Sequence, residues 1–318
     1  PEPLGNAVNC YASPSPAVEQ GRAYVHFGSY GTACLDTGSG EVLWTREDLK
    51  CRHYRGPGSS VMLYRDLLVL TLDGVDVQYV TALDKRTGKT VWKTDRAIKW
   101  NDLDEKGQPK REGDYRKAFA TPLVIRVGGK DLLVSPASSV LFAYEPGTGQ
   151  EVWRVVNKAY SPSVSPVFGA GLVLAVTGRG IPEMLGIRPD GTADVTDSHV
   201  VWRVPGKDVP LTPSPVVIGG LLYMLADPGV MTCLEAASGK TVWRERVGGN
   251  CIASPIQDGE RIYVFSLSGK TTVIRAGRTF EKLAENPLDA GFMASPAVAD
   301  DSLFLRTKTH LYRIGATR

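Results

Sequence analysis

Four stretches of this 318-residue chain are close copies of one another, and each ends in tryptophan. Leu35-Asp36 leads through Gly40 to Trp44, Leu83-Asp84 through Thr87-Gly88 to Trp92, Tyr144-Glu145 through Thr148-Gly149 to Trp153, and Leu234-Glu235 through Ser238-Gly239 to Trp243. The unit reads as a β-hairpin: alternating apolar residues run into an acid, a turn closes on glycine, and a short strand carries valine and tryptophan. Glycine supplies the positive φ of the turn, the acidic side chain can accept the turn's own amides, and the outgoing residues suit a pleated, half-buried surface. One such hairpin cannot bury its tryptophan, so neighbouring copies must cover it. The pattern therefore predicts an array rather than an isolated motif.

A looser fifth copy runs from Leu185-Gly186-Ile187 through Pro189-Asp190-Gly191 and an inserted Ala193 to His199, then to Val200-Val201-Trp202. A sixth, Thr272-Val273-Ile274 with Gly277 and Phe280, is read as exchanging the tryptophan for another aromatic. Trp44, Trp92, Trp153, Trp202 and Trp243 thus hold the repeat position as structural residues, and Trp100 alone is left over.

A second marker recurs where each repeat begins: Ser15-Pro16, Ser59-Ser60, Thr121-Pro122, Ser165-Pro166, Ser214-Pro215, Ser254-Pro255 and Ser295-Pro296. Most of these lie roughly 40 to 50 residues apart, the length of a four-stranded blade. Each marker opens an innermost strand, a second strand follows, and the tryptophan hairpin supplies strands three and four. The expectation is an all-β chain, one β-propeller domain over 1–318, with seven blades of four antiparallel strands. The last repeat is too short for an outer strand. Residues before Asn9 could lend one to close the ring, although Pro1-Glu2-Pro3 and Gly5 are poor strand formers. The long interval from Ser60 to Pro122 marks an inserted loop, Ile98 to Lys117, rich in mixed charge.

The pattern Leu-Asp-x-x-Thr-Gly-x-x-x-Trp resembles the pyrroloquinoline-quinone-like (PQQ-like) β-propeller repeat, in which the tryptophan docks each blade on its neighbour. The resemblance covers nearly the whole chain. Asn9 to Pro16, Gly56 to Ser60, Asp73 to Trp92 and Leu211 to Pro215 are more specifically similar to secreted propellers of planctomycete-type bacteria. It implies a periplasmic or extracellular protein. Such proteins commonly carry a further blade upstream, so a longer, eight-bladed parent is an alternative, and the start at Pro1 reads as a processed or trimmed product.

Composition narrows the function. Thirty-seven basic against 34 acidic residues leave a formal charge of +3, too small to favour nucleic acid or anionic lipid. No apolar run approaches the roughly 20 residues of a spanning helix. Cys34 and Cys233 share one repeat position and read as small buried hydrophobes. Cys10 and Cys51 precede the innermost strands of successive blades and could form a disulfide, with Cys251 as a competing partner. No His-rich or Cys-x-x-Cys spacing predicts a metal, and no Gly-x-Ser-x-Gly or supported Ser-x-x-Lys predicts a nucleophile. Quinoprotein dehydrogenases, which the family name brings to mind, are larger and carry a vicinal cysteine pair over the quinone. No two cysteines are adjacent here.

In a propeller, the loops entering the innermost strands and those between strands two and three share one face, where ligands usually bind. That mapping gathers the candidate ligand-binding residues Tyr11, His26, His53, Tyr54, Arg55, Asp73, Asp76, Arg116 and Lys117. His53-Tyr54-Arg55 runs into Gly56-Pro57-Gly58, whose glycines could let a ligand approach the backbone. Arg55, Arg116 and Lys117 offer donors, Tyr54 a flat face with a polar tip, and His53 a cationic donor near its ordinary pKa of about 6.5. The competing expectation is that these charges pair with Asp73, Asp76 and the acids of the insertion. Asp102-Leu103-Asp104 with Gly107 has some calcium-loop character, but Lys106 stands where an oxygen ligand belongs. The preferred function is a non-catalytic, exported, monomeric propeller that binds a protein, peptide or glycan at this face without a cofactor. Its architecture would resemble the lipoprotein that assists outer-membrane barrel assembly. The alternative is an oxidoreductase using PQQ and calcium, or a carbohydrate-active enzyme, at the same mouth.

Overall fold

The computed structural model describes residues 9–53, 55–288 and 290–315, so the strand that residues before Asn9 might lend lies outside the described residues. The seven sheets are the blades of a β-propeller and, with two short 3₁₀ turns, make up nearly all the regular structure described. The chain divides into two compact units: residues up to Ser165 with Thr177–Ile181 and Asp190–His199, and Pro166–Val176 with Pro182–Pro189 and the residues from Val200 onward.

Three blades belong to the first unit. They are formed by β1 (Ala17–Glu19), β2 (Arg22–His26), β3 (Thr32–Asp36) and β4 (Val42–Arg46); by β5 (Met62–Tyr64), β6 (Leu67–Asp73), β7 (Gln78–Asp84) and β8 (Thr90–Asp95); and by β9 (Leu123–Val127), β10 (Lys130–Ala137), β11 (Val140–Tyr144) and β12 (Glu151–Val156). The strands of each meander antiparallel from inside out. Strand β6 shows why the middle strands are almost wholly apolar. Leu68, Leu70 and Leu72 pack with Tyr24 and Cys34 of the first blade, while Val69 packs with Val80, Leu133, Phe142 and Tyr144 toward the third. Successive side chains point to opposite faces, so a strand covered on both sides must be hydrophobic at every position.

The insertion from Ala193 to His199 does more than lengthen a turn. Its β16 (Ala193–Asp194) joins the outer strand β12 in parallel, as a fifth strand of the third blade. Asp194 holds the segment's bend by accepting the Thr196 amide at 3.0 Å and its hydroxyl at 2.6 Å, and Val195 is buried. An outer edge that would otherwise present unpaired amides is covered.

Four blades belong to the second unit: β13 (Val167–Gly169), β14 (Leu172–Val176), β15 (Glu183–Ile187) and β17 (Val200–Pro205); β18 (Val216–Ile218), β19 (Leu221–Leu225), β20 (Val230–Glu235) and β21 (Thr241–Arg246); β22 (Ile256–Asp258), β23 (Arg261–Phe265), β24 (Lys270–Arg275) and β25 (Glu281–Pro287); and β26 (Ala297–Ala299), β27 (Ser302–Arg306) and β28 (Leu311–Gly315). The last has three strands among the described residues. Its neighbours share cores such as Tyr223, Leu225 and Cys233 against Ile262, Val264 and Ile274.

The tryptophan hairpin has one geometry throughout. In six blades a β-bulge falls between the same two residues of the third strand, Cys34/Leu35, Ala82/Leu83, Ala143/Tyr144, Gly186/Ile187, Cys233/Leu234 and Val273/Ile274. The residue before the bulge faces the tryptophan across the ladder, and it is small: Cys34, Ala82, Ala143, Gly186 and Cys233. In the sixth copy that relation is reversed, with Val273 opposite Ala284. Phe280 therefore does not hold the tryptophan position, contrary to the sequence expectation. It lies before β25 and packs edge-on against Trp243 at 5.3 Å.

Four of the indoles reach the turn of the next blade. Trp44 Nε1 donates to the Lys85 carbonyl at 3.1 Å, Trp92 to Pro146 at 3.1 Å, Trp202 to Ala236 at 3.1 Å and Trp243 to Gly277 at 2.9 Å. Trp92 and Trp153 are buried, whereas Trp44, Trp202 and Trp243 are half-buried, because they lie on an outer strand with one rim toward solvent. The glycine of each turn serves two ends. At Gly88, φ is +71°, and a Cβ would stand 2.7 Å from Trp44 Cε3.

The marker at the repeat starts also has a structural role. The Ser15 amide donates to Ser60 Oγ, Ser60 to Thr121 Oγ1, Ser214 to Ser254 Oγ and Ser254 to Ser295 Oγ, each at 2.9 Å. The hydroxyl at one repeat start thus receives the amide of the preceding one, and the proline that follows most of them makes no demand for an acceptor of its own.

Candidate functional site

Within the first unit, the inserted loop brings its acids to the basic residues of the loop face. Leu103 and Pro109 form a β-bridge, and Lys110–Arg116 is a 3₁₀ segment in which Arg111, Glu112 and Gly113 turn left-handed. That reversal presents Asp114. Its carboxylate accepts Arg55 Nε at 3.0 Å and Nη2 at 3.2 Å, and it also accepts Lys117 Nζ. The Lys117 side chain is fully buried; burial lowers its pKa, and the Asp114 carboxylate opposes that shift. Arg116 turns the other way, forking onto Asp102 at 2.8 and 2.6 Å with its guanidinium over the Trp100 ring. Asp102 is thereby an arginine partner, and Asp104 caps its own turn through the Lys106 and Gln108 amides, both at 2.9 Å.

The remaining candidates are equally engaged. Asp73 forms a buried, two-pronged pair with Arg96 at 2.7 and 2.9 Å, and Arg96 also donates to Ser135 Oγ at 2.8 Å. Burial pushes the Asp73 carboxyl up, against the pull of the guanidinium. Asp76 Oδ1 accepts the amides of Arg52 and Val77. His26 is buried with Nδ1 2.9 Å from Thr32 Oγ1, and loss of solvent pushes its pKa down to about 4. Tyr11 packs edge-on against Tyr30 at 4.6 Å. Tyr54 lies outside the described residues.

His53 departs most from expectation. Its ring meets Phe119 edge-on at 4.7 Å, both ring nitrogens are buried without a hydrogen-bond partner, and burial together with nearby Lys117 pushes its pKa down to about 4. It is a neutral ring at pH 7, not the cationic donor the sequence suggested. The glycines beside it make room for the protein itself. A Cβ on Gly58 would stand 2.7 Å from Phe119 Cβ, and the Gly56 and Pro57 carbonyls accept the Asn9 amide group, each at 3.1 Å.

All five cysteines are free thiols. The Cys10–Cys51 bridge is not formed, because Cys51 turns into the core with Leu68, Leu70 and Tyr79, tight against Gly74, while Cys10 stays exposed. Among the described residues no three His, Cys, Asp or Glu side chains are placed to share a metal ion. With Asp73 held by Arg96 and no adjacent cysteines, the residues present do not fit the calcium-bound quinone of the dehydrogenases.

Beside charged side chains such as Arg52, Lys106, Arg111 and Arg179, the loop face of the first unit exposes apolar ones. Phe27 is 41 % exposed, Tyr30 46 %, Leu103 51 % and Ile181 56 %, and all four stand on loops of the first unit. Phe27 precedes and Tyr30 ends a 3₁₀ turn, Gly28–Tyr30, between β2 and β3. The sequence places Tyr30 among the loop-face residues but gives no sign of Phe27, Leu103 and Ile181 beyond two aromatics in a loop that needs none for its turn.

Blades, bulges and inter-blade indoles define a PQQ-like β-propeller, and in its first unit the candidate charges Arg55, Asp73, Arg116 and Lys117 are internally paired. A family model described as outer membrane protein assembly factor BamB matches residues 5–95 and 189–279, and the chain belongs to that family. The Yersinia pestis protein of that name is 23 % identical over 247 residues, covering 62 % of this chain and 59 % of its own length. The Burkholderia pseudomallei protein is 27 % identical over 114 residues, 36 % of this chain and 29 % of its own. The chain therefore spans less than two thirds of either relative. Among solved structures, BamB from Moraxella catarrhalis superposes with a TM-score of 0.67 at 13 % identity, over 93 % of this chain and 82 % of that one. Quinohemoprotein alcohol dehydrogenase from Comamonas testosteroni gives 0.65 at 14 %, over 92 % and 62 %. At those identities the two share the fold.

Proposed function

We infer that this chain is a non-catalytic binding scaffold of the periplasm or cell exterior that holds a protein partner through the loop face of its first unit. The observation that carries the reading is the division of labour there. The candidate groups Arg55, Asp73, Arg116 and Lys117 are paired and His26 and His53 buried neutral, while Phe27, Tyr30, Leu103 and Ile181 offer exposed apolar surface. Exposed aromatic and aliphatic anchors suit a protein surface, where they supply most of the binding energy. Relatives named as an assembly factor for outer-membrane proteins support a role among proteins. In this reading the indoles dock blade on blade so that the loops can vary, and neither quinone nor calcium takes part.

The test is site-specific photo-crosslinking in intact cells, with benzoylphenylalanine at positions 27, 30 and 181 and, as a control, at exposed Val298. One partner protein captured from the first three positions and not from the control is the expected result, lost in a Phe27→Asp/Tyr30→Asp variant. Dye-linked alcohol oxidation by the purified chain after loading with quinone and calcium would overturn the reading.

A further inference from the structure

On the first unit, at the strand ends opposite the loop face, a groove of about 600 Å³ opens among the β5–β6, β9–β10 and β11–β12 turns. Three carboxylates and two cations line it, and most of the charge is accounted for. Asp131 accepts the Tyr64 hydroxyl at 2.8 Å, Arg65 at 2.9 Å and Arg126 at 3.3 Å. Glu151 is held by both prongs of Arg154 at 2.6 Å. Lys130 is exposed, and its ammonium keeps its water.

Glu145 is the exception. Its Oε1 accepts the Gly147 amide at 2.9 Å, and against burial the Thr148 hydroxyl, the turn amides and the charge of Arg65 hold the carboxyl below the usual carboxylate range, whereas Oε2 is shut off from water with no hydrogen-bond partner. A buried carboxylate oxygen without a partner is costly, and the cost falls when a donor arrives. The repeat provides an internal comparison, because Glu235 holds the same position two copies on. There one oxygen takes the Ser238 hydroxyl at 3.0 Å and the other receives the Arg278 guanidinium, from the turn of the next blade, at 2.8 Å. In the turn of the blade after Glu145, Arg188-Pro189-Asp190-Gly191-Thr192, the position of Arg278 is held by Gly191, and Thr192 beside it lines the groove.

We propose that this groove is a binding site for a guanidinium or ammonium group, with Glu145 as its counter-ion in the place Arg278 fills for Glu235. The proposal is independent of the loop-face function. The cation is either the side chain of an arginine or lysine in a polypeptide or a free small amine, and both would dock by the same charge-assisted hydrogen bonds.

The probes are N-acetyl-arginine amide, its citrulline counterpart, agmatine and the peptide Gly-Gly-Arg-Gly-Gly, titrated into the intact chain at constant ionic strength and followed by calorimetry and thermal melting. Guanidinium probes should bind and raise the melting temperature, while the neutral citrulline isostere should not. Glu145→Gln should weaken binding at least tenfold. Thr192→Arg should raise the melting temperature without any probe and abolish the response to probes, which separates loss of the site from loss of the fold. A peptide binding tighter than agmatine would support the site and assign it to polypeptides; the reverse would support it and assign it to small amines. Equal responses to arginine and citrulline, or an undiminished response in Glu145→Gln, would overturn the proposal.

Discussion

At the residue scale, the tryptophan and the glycine it covers are one device split between two blades. Trp92→Ala removes an almost fully buried indole and its bond to Pro146, and should lower stability by about 3 to 5 kcal/mol. Trp100→Ala, outside the repeat and half-buried, should cost far less, and urea midpoints of the two variants test the difference. Glycine substitutions divide the effect further. Gly171→Ala meets only the positive-φ penalty of about 1 to 2 kcal/mol, since nothing stands near its Cβ. Gly149→Ala adds a collision with the Trp92 ring and should cost clearly more. Thiol chemistry offers a separate check. Burial raises the pKa of Cys34, Cys51, Cys233 and Cys251, so only Cys10 should react promptly with a disulfide reagent in the native protein, and the other four only on unfolding.

At the scale of the element, the insertion is an internal counter-ion. Its mixed charge was legible in the sequence, and so was the chance that its acids would neutralise the loop face; the left-handed run at Arg111 and Glu112 that aims Asp114 was not, because neither residue type announces a positive φ. Asp114→Ala removes the carboxylate that faces a buried ammonium and should cost about 3 to 5 kcal/mol. Arg55→Ala removes a partner whose side chain is 40 % exposed, and should cost at most about 1 kcal/mol. Chemical denaturation of both variants checks the asymmetry; equal losses would mean that Asp114 serves Arg55 rather than Lys117.

At the scale of the whole molecule, two buried imidazoles make stability depend on pH. The folded pKa values of His26 and His53 stand near 4, below the unfolded 6.5, so the unfolded chain binds protons first. Their contribution is fully present above about pH 6.5 and is lost as pH falls toward 4. For His26, 6 % exposed, the loss is on the order of 3 kcal/mol. His53→Phe should flatten part of that slope without loss at neutral pH, since neither ring nitrogen has a partner to forfeit. Denaturation midpoints measured from pH 7 to pH 4 test it, and an unchanged slope would mean that His53 is solvated.

The sequence by itself determined the repeat, its strand order and its seven starts, because those follow from local rules: alternation of apolar residues, an acid that caps its own turn, glycine at positive φ. It also marked the small residues of the third strand, as at Cys34 and Cys233, which the structure explains by the indole facing them across the bulge. What only the tertiary structure decided is which charges meet. Asp73 with Arg96, Asp114 with Arg55 and Lys117, and Glu145 with no donor on Oε2 each depend on segments brought together from different blades or loops. Residue spacing carries no record of such encounters, since the energy of an ion pair depends on separation in space and on lost solvent, and neither is a property of the chain's order.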